Sequence, residues 1–381
     1  MKNVLLFHNI TAPPYRVPMF NALGSRCNLG LVFYDGQTKD RQWKTAATKN
    51  SYSSLWLKHF RLLFFVINPG LLVYLIRKKA DVYIIIDNEE NIISNSCVAL
   101  FARLTGRTYI VWSGHLLIQN GTVHPMSFHQ SFFHKQPFKA LFERLTKTLN
   151  QWLYKYASSY LAYSVKSQEY LTANGVNGDS IIVGTQAMSK TLLPTPKKKL
   201  DLKKNKINLL YLGYLRPEKG LNFFLEVFAS LEDADRYELH IVGDGPEKNA
   251  LERDSSRNVH FYPYAHADQR AEWFRSADLM ILPTFYDPWA HVVTESLHYG
   301  TPVLTTSSAA ASTVITDGSD GFVFRAGDKH SLLDILRMLD KKKVVAMKAF
   351  IARKSYSRLY DVDADAENFA RAIELAEVKK S

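Results

Sequence analysis

Short apolar runs that stop at a glycine or a polar loop, separated by helix-length segments with one apolar face, recur along this chain and constrain its fold most. In the second half they are INLLYLG (207–213), YELHIVG (237–243), NVHFYPY (258–264), DLMILP (278–283) and TPVLTT (301–306). Between the first two, Leu221, Phe224, Leu225, Phe228 and Leu231 fall at spacings of three and four, the pattern of a helix with one buried stripe. Strands alternating with helices of this length predict a parallel sheet covered on both faces. Ligands of such sheets bind beyond the carboxyl ends of the strands. There the sequence places GYLRPEKG, GDGPE, PYAHAD, PTFYDPWAH and TTSSAAAS, rich in glycine and polar side chains.

The first half repeats the scheme less cleanly, with strands expected at 3–8, 29–34, 81–87, 108–112, 159–164 and 180–184. From Phe138, the residues Leu141, Phe142, Leu145, Leu149, Trp152, Leu153 and Tyr156 predict a core-facing helix. Residues 60–79 are apolar and flanked by basic residues, but Asn68-Pro69-Gly70 interrupts them. A membrane span needs about 20 apolar residues, so this stretch predicts a buried or membrane-grazing helix pair. The lysine-rich stretch 189–206, with two prolines and little apolar pattern, predicts an interdomain linker. No solenoid-type repeat is present. A length of 381 residues suits two domains: 1–188, then the linker 189–206, then 207–360, with 361–381 forming a last helix packed back on the first domain.

Only two cysteines occur, Cys27 and Cys97, which excludes a disulfide framework and points to a reducing compartment. The opening MKNVLLFHNITAPPYR has a short apolar run that gives way to polar and proline residues, the pattern of a buried strand and not of a signal peptide. The net charge of +12 is uneven. Residues 1–200 carry 24 Lys+Arg and 9 Asp+Glu (24 − 9 = +15), and residues 201–381 carry 24 and 27 (24 − 27 = −3). The excess, with 27 of the 48 aromatic residues, lies in the first half and predicts an anionic partner there. No nucleic-acid recognition motif accompanies it. An anionic membrane surface or a lipid-pyrophosphate-linked glycan is expected against the stretches 56–79 and 128–155.

The residues that point to chemistry cluster at 213–220 and 284–302. Gly213 ends a strand, the loop presents Arg216 and Lys219, and Gly220 opens a helix. Two cations beside free helix amides make a place for a diphosphate. Asp287 and Glu295 stand eight apart, and Pro288 starts a helix whose first amides, at Ala290, His291 and Val292, point outward. A carboxylate within that helix, Glu295, can accept hydrogen bonds from vicinal hydroxyls. The Asp233-x-Asp235 and Asp361-x-Asp363-x-Asp365 pairs read as solvated turns, and His124, His129 and His134 lack the spacing of zinc ligands. No metal site and no cofactor is expected.

Five motifs in this order resemble the donor-binding half of GT-B glycosyltransferases, specifically the retaining family 4. They are G-x-L-x-x-x-K-G at 213–220, V-G-D-G-P at 242–246, A-D-L-x-I-L-P at 277–283, the acidic pair at 287 and 295, and Y-G-T-P-V at 299–303. The segment P-P-Y-R-V-P-M-F-N-A-L at 13–23 is similar to part of that family, and Asn368, Phe369 and Ile373 suit its last helix. The resemblance implies an α/β GT-B fold, two Rossmann-like domains facing each other across a cleft. It implies transfer of a sugar from a nucleoside-diphosphate sugar, UDP- ahead of GDP-, to a saccharide or polyprenyl-linked acceptor. Cell-envelope polysaccharide or lipopolysaccharide assembly would be the setting, on the inner face of the cytoplasmic membrane.

Carried over by residue, the resemblance implies that Lys219 binds the diphosphate, Glu295 the ribose hydroxyls, and Asp287 the transferred sugar. Gly213, Arg216 and Gly243 would shape the donor loops, and Tyr264 to His266 would meet the base. The amides of Ala290, His291 and Val292 would meet sugar and phosphate. His115, in Y-I-V-W-S-G-H, would lie near the reacting carbon, with Pro14, Tyr15 and Arg16 on the acceptor side. Three departures stand out: Tyr214 where the family usually has Arg, Asp287 where Glu is commoner, and Asn9 to Pro14 in place of a Gly-Gly loop. Two alternatives stay open, a nucleotide-sugar epimerase on the same fold and a non-catalytic nucleotide-sugar-binding protein.

Overall fold

The computed structural model describes residues 1–36, 50–63, 65–117, 139–184 and 186–379. They form two compact units, one from the described residues of 1–117, 139–189 and 358–379, the other from 190–357. In the first unit, β1 (Asn3–His8), β2 (Asn28–Phe33) and β3 (Ser53–Trp56) are followed by a hairpin of β4 (Phe60–Leu62) and β5 (Phe65–Ile67). Then come β6 (Val82–Ile86), β7 (Thr108–Ser113), β8 (Ser159–Ala162) and β9 (Ile181–Val183). Seven of these make one parallel sheet in the order β3-β2-β1-β6-β7-β8-β9. Apart from the exposed edge strand β3, their runs are largely apolar on consecutive residues because both faces are covered.

The second unit holds β10 (Ile207–Leu212), β11 (Tyr237–Val242), β12 (Val259–Tyr262), β13 (Leu279–Leu282), β14 (Val303–Thr306) and β15 (Gly321–Phe324). All pair in parallel in the order β12-β11-β10-β13-β14-β15. Both sheets thus have the Rossmann arrangement, with the order reversing beside the first strand of each, the position at which such sheets bind ligands. Together the two units are a GT-B fold.

The helix Val362–Val378 belongs to the first unit, packing on β7, β8 and β9. Asp361 caps it, its carboxylate accepting from the Ala364 amide at 2.9 Å, and Asp363 and Asp365 sit at the positive end of the helix dipole. Ala366, Ala372 and Ala376 bring it close to the sheet, and Phe369 meets Trp112 edge to face at 4.8 Å. The lysine-rich stretch 189–206 runs along the second unit. Its Leu200 amide donates to Ser276 Oγ at 2.8 Å and Lys203 pairs with Glu238 at 2.7 Å.

Four expectations from sequence need correction. Phe60–Leu62 and Phe65–Ile67 pair as antiparallel strands and not as a helix, because aromatic and β-branched residues there precede the Asn68-Pro69-Gly70 break; of the described residues in 60–79 only Leu71–Arg77 is helical. The helix Lys139–Tyr156 forms, but Leu145 faces solvent and the buried side runs through Thr146, Asn150, Leu153 and Tyr154. Strands β3 and β15 had no counterpart among the expected runs. Asp365, read as solvated, is buried, because its helix turn lies under the Gly184 backbone. His124, His129 and His134, and most of the stretch 128–143, lie outside the described residues.

Two glycines let the loops of the second unit close on one another. A Cβ on Gly243, at φ 153°, would overlap the Gly213 carbonyl oxygen, and one on Gly220, at φ 70°, would overlap that of Pro283. Gly243→Ala and Gly220→Ala should each cost more than about 2 kcal/mol in urea unfolding. Gly178→Ala, which meets open space, should cost under about 0.5 kcal/mol.

Candidate active site

At the order reversal of the second sheet, the connections after β10 and β13 lie side by side. The chain leaves β10 at Gly213, runs extended at Arg216, makes a single turn over Pro217–Lys219, and passes through Gly220 into the helix Leu221–Ala229. The carbonyl of Glu218 accepts two hydrogen bonds from the neighbouring loop, from Thr284 Oγ1 at 2.9 Å and the Phe285 amide at 2.8 Å. That tie brings Lys219 against Asp287, Nζ to Oδ2 at 2.7 Å, with both side chains only partly exposed. Asp287 is held in turn: its Oδ1 accepts from the Trp289 amide at 3.1 Å, and its own amide and carbonyl bond Ser308 and Ala310.

Ala290 then takes the left-handed conformation, φ 73° and ψ 69°, and the helix His291–His298 begins. An alanine in this region carries a backbone cost of about 1–2 kcal/mol. It aims the opening amides of the helix, which have no carbonyl partner within it, beside Asp287. Glu295, two residues short of the buried Leu297, is itself 6% exposed and forms an ion pair with Arg270 of the helix Ala267–Ser276. Burial opposes the Arg270 cation, but the Glu295 carboxylate outweighs it and holds the guanidinium above its ordinary range. Burial, with Glu295 beside it, also pushes the Tyr299 hydroxyl up to about 12.

Tyr264 and His266 follow β12, their rings edge to face at 5.3 Å. His266 opens the Arg270 helix, its amide donating to Gln269 Oε1 at 3.0 Å. Arg216 lays its guanidinium over the ring of Tyr214, one of the residues that depart from the family pattern, at 4.7 Å, a cation–π contact. Gly213 and Gly243 lie beneath, with the Gly213 amide bonded to Val242 at 3.1 Å. The structure therefore brings together Lys219 with Asp287, and Glu295 with Arg270. Arg270 was missed from sequence, where a lone cation one turn into a polar helix carries no signal until its buried carboxylate partner is known.

In the first unit, Pro14 and Tyr15 precede Arg16 in a turn after β1. The Arg16 guanidinium stacks on Trp112 at 4.3 Å and donates to Tyr163 at 2.6 Å, with His8 Nε2 at 2.7 Å. Arg16 is thus bound into the sheet end. His8 and Tyr163, which hold it there, were not among the sequence-derived candidates. His115 lies two residues beyond β7, largely buried.

Residues 194–355 match the family model described as glycosyl transferases group 1. An uncharacterized 41.2 kDa protein in the cps region of Klebsiella pneumoniae is 24% identical over 180 residues, 47% of this chain and 50% of that protein. The phosphatidyl-myo-inositol mannosyltransferase of Mycobacterium leprae is 28% identical over 211 residues, covering 53% of this chain and 52% of its own. The chain thus spans about half the length of these curated relatives. Among solved structures, Anabaena HepE in complex with UDP superposes with a TM-score of 0.71 at 16% identity, over 98% of this chain and 100% of its own. The lipopolysaccharide outer core galactosyltransferase WaaB, in its apo form, gives 0.66 at 16% identity over 98% and 99%. By fold and by this match the chain is a GT-B protein. More narrowly, its second unit carries the glycosyl transferases group 1 segment.

Removing the partner of the buried carboxylate should be costly. Arg270→Ala leaves the buried Glu295 carboxylate unpaired and should destabilise the chain by about 3–5 kcal/mol in chemical unfolding. The double variant Glu295→Leu/Arg270→Leu should recover most of that loss.

Proposed function

We propose that this chain is a retaining glycosyltransferase moving a sugar from a nucleoside-diphosphate sugar, UDP- ahead of GDP-, to a saccharide or polyprenyl-linked saccharide acceptor in cell-envelope polysaccharide or lipopolysaccharide assembly. The observation that carries this reading is the Lys219–Asp287 pair at the order reversal of a parallel sheet, inside the family-matched segment. As the bond from the anomeric carbon to the diphosphate oxygen breaks, negative charge develops on the leaving oxygen and positive charge on the sugar. Lys219, Arg216 and the first amides of the helix His291–His298 stabilise the former, and Asp287 positions the hydroxyls of the sugar. Glu295 holds the ribose, Tyr264 and His266 flank the base, and His115 meets the transferred sugar. Pro14, Tyr15 and Arg16 line the acceptor side. With cations and amides in this role the reaction needs no metal.

A screen of UDP-, GDP- and ADP-sugars by thermal shift tests the donor. Ligand at 100 times its Kd stabilises by about 2.7 kcal/mol, so one donor should raise Tm and Lys219→Ala should abolish the rise. No shift with any of them would defeat the reading. Turnover should persist within twofold in EDTA, and loss with rescue by Mg²⁺ or Mn²⁺ would overturn the metal-free mechanism. The departures at Tyr214 and Asp287 favour a second reading, binding without transfer. A donor-dependent Tm rise with no transfer product would establish it.

The same reading places the basic first unit against an anionic membrane surface, with catalysis at the cytoplasmic face. Its support is a run of exposed apolar residues beside cations. Trp56, Phe60, Leu62, Leu72, Val73 and Ile76 are exposed, the last at 55%, next to Lys58, Arg61, Arg77, Lys78 and Lys79. The helix Leu71–Arg77 buries Leu71 and Leu75 yet shows apolar residues on its outer side too, a pattern that fits an interface. Among the described residues no helix is long and apolar enough to cross a membrane. Liposome flotation should show binding to phosphatidylglycerol-containing vesicles, weak binding to neutral ones, and loss in Leu72→Asp/Ile76→Asp. Equal partitioning to both vesicle types would refute the membrane contact.

A further inference from the structure

Arginine meets a carboxylate most strongly as a fork, two parallel N–H···O bonds that use both carboxylate oxygens. Between Arg270 and Glu295 that fork is left open. One guanidinium nitrogen, Nη2, donates to Oε2 of Glu295. Among the described residues neither Arg270 Nε, which is buried, nor Glu295 Oε1 has a hydrogen-bond partner. The arginine is held from its own side. Its amide donates to the His266 carbonyl at 2.8 Å, so it stands one turn along from the residue that opens its helix. Two phenols face the guanidinium, Tyr264 from the connection after β12 and Tyr299 from the end of the Glu295 helix. Tyr299 is itself fixed, its ring stacked on Phe274 with centroids 5.8 Å apart and its hydroxyl donating to the Pro194 carbonyl at 3.0 Å. All of these groups belong to the second unit.

A carboxylate as buried as Glu295 needs a cation beside it, but a closed fork would spend both of its oxygens on the protein. The one-point pair meets the first need and keeps one oxygen in reserve. We propose that Arg270 is a positioning residue for donor recognition: it takes Oε2 of Glu295 and leaves Oε1 to the vicinal hydroxyls of the ribose. This rests on the ribose role given to Glu295 in the proposed transfer reaction. Arg270 also offsets the Glu295 charge, which an anionic nucleoside diphosphate would otherwise meet as a like charge. Ribose hydroxyls take no part in the bond that breaks, so the contact serves ground state and transition state alike. Its loss falls on donor KM more than on kcat.

Calorimetric titration of the full chain with UDP, GDP and ADP, each against its 2′-deoxy and 3′-deoxy forms, tests this. The wild type should prefer the ribose form of the nucleotide it binds by about tenfold or more over at least one deoxy form. Arg270→Gln should reduce that preference to under about threefold. Arg270→Lys, which keeps the charge without the planar head, should fall between the two, and it supplies the same readout where Arg270→Gln folds poorly. Damage to packing alone would weaken ribose and deoxyribose forms equally and leave their ratio where it was. In a Glu295→Gln background Arg270→Gln should move the ratio no further, since the arginine acts through that carboxylate. A ratio as high as the wild type's in every Arg270 variant that folds overturns the proposal and leaves the donor reading intact, as does wild-type binding with no ribose preference. Failure of the wild type to bind any of the three nucleotides overturns the donor reading itself, and the proposal with it.

Discussion

The reversal of strand order between β10 and β13 is the constraint on which the second unit depends. Right-handed crossovers from β10 run to one side of the reversal and those from β13 to the other, so the two strand ends are left uncovered next to each other. Lys219 and Asp287, 68 residues apart, meet only because of this. The contact is then fixed by backbone: Glu218 offers its carbonyl to both Thr284 and Phe285, and Gly220 slides under Pro283 where any side chain would collide. None of these groups needs the charges above them, so the scaffold stands whether the site is empty or filled.

Two ion pairs of different character stand on that scaffold. Lys219 and Asp287 are partly open to water, where a pair contributes about 0–1 kcal/mol. In the proposed reaction a diphosphate would therefore draw Lys219 away at little cost. Glu295 itself is buried, and separating it from Arg270 would strand its charge. The first pair is suited to exchange and the second to holding shape, so the Glu295 carboxylate can accept from hydroxyls only while keeping its arginine. In both pairs the charges are oriented before any ligand arrives, the condition under which electrostatic stabilisation is most effective.

Much of this was legible from residues alone. Strand runs such as 207–213 and 237–243 were readable because both faces are buried and the apolar stretch is unbroken. The loops that bring Lys219 and Asp287 together were legible as candidates because a loop after a parallel strand is where ligands go, and glycine and charge gather there. Three features resisted. Strand β3 is an edge strand exposed along its length, so Ser53 to Trp56 carries no burial signal. Leu145 looked inward by period, yet the helix turns Thr146 and Asn150 to the core, a choice made by neighbours far along the chain. Arg270 and His8 take their roles from partners on other elements, and spacing along one segment cannot reveal a partner on another.

The helix Val362–Val378 has a consequence for the order in which the chain becomes a protein. Domains usually complete themselves in the order of their synthesis. Here, among the described residues, 190–357 contain every strand and helix of their own unit. The first unit has its sheet early but lacks the alanine-lined helix that covers β7 to β9 and seats Phe369 on Trp112. That seam stays open until almost the whole chain has been made. On synthesis in this order the first unit can be completed only after residues 190–357 have been made, and the face of β7 to β9 that the helix covers waits for it.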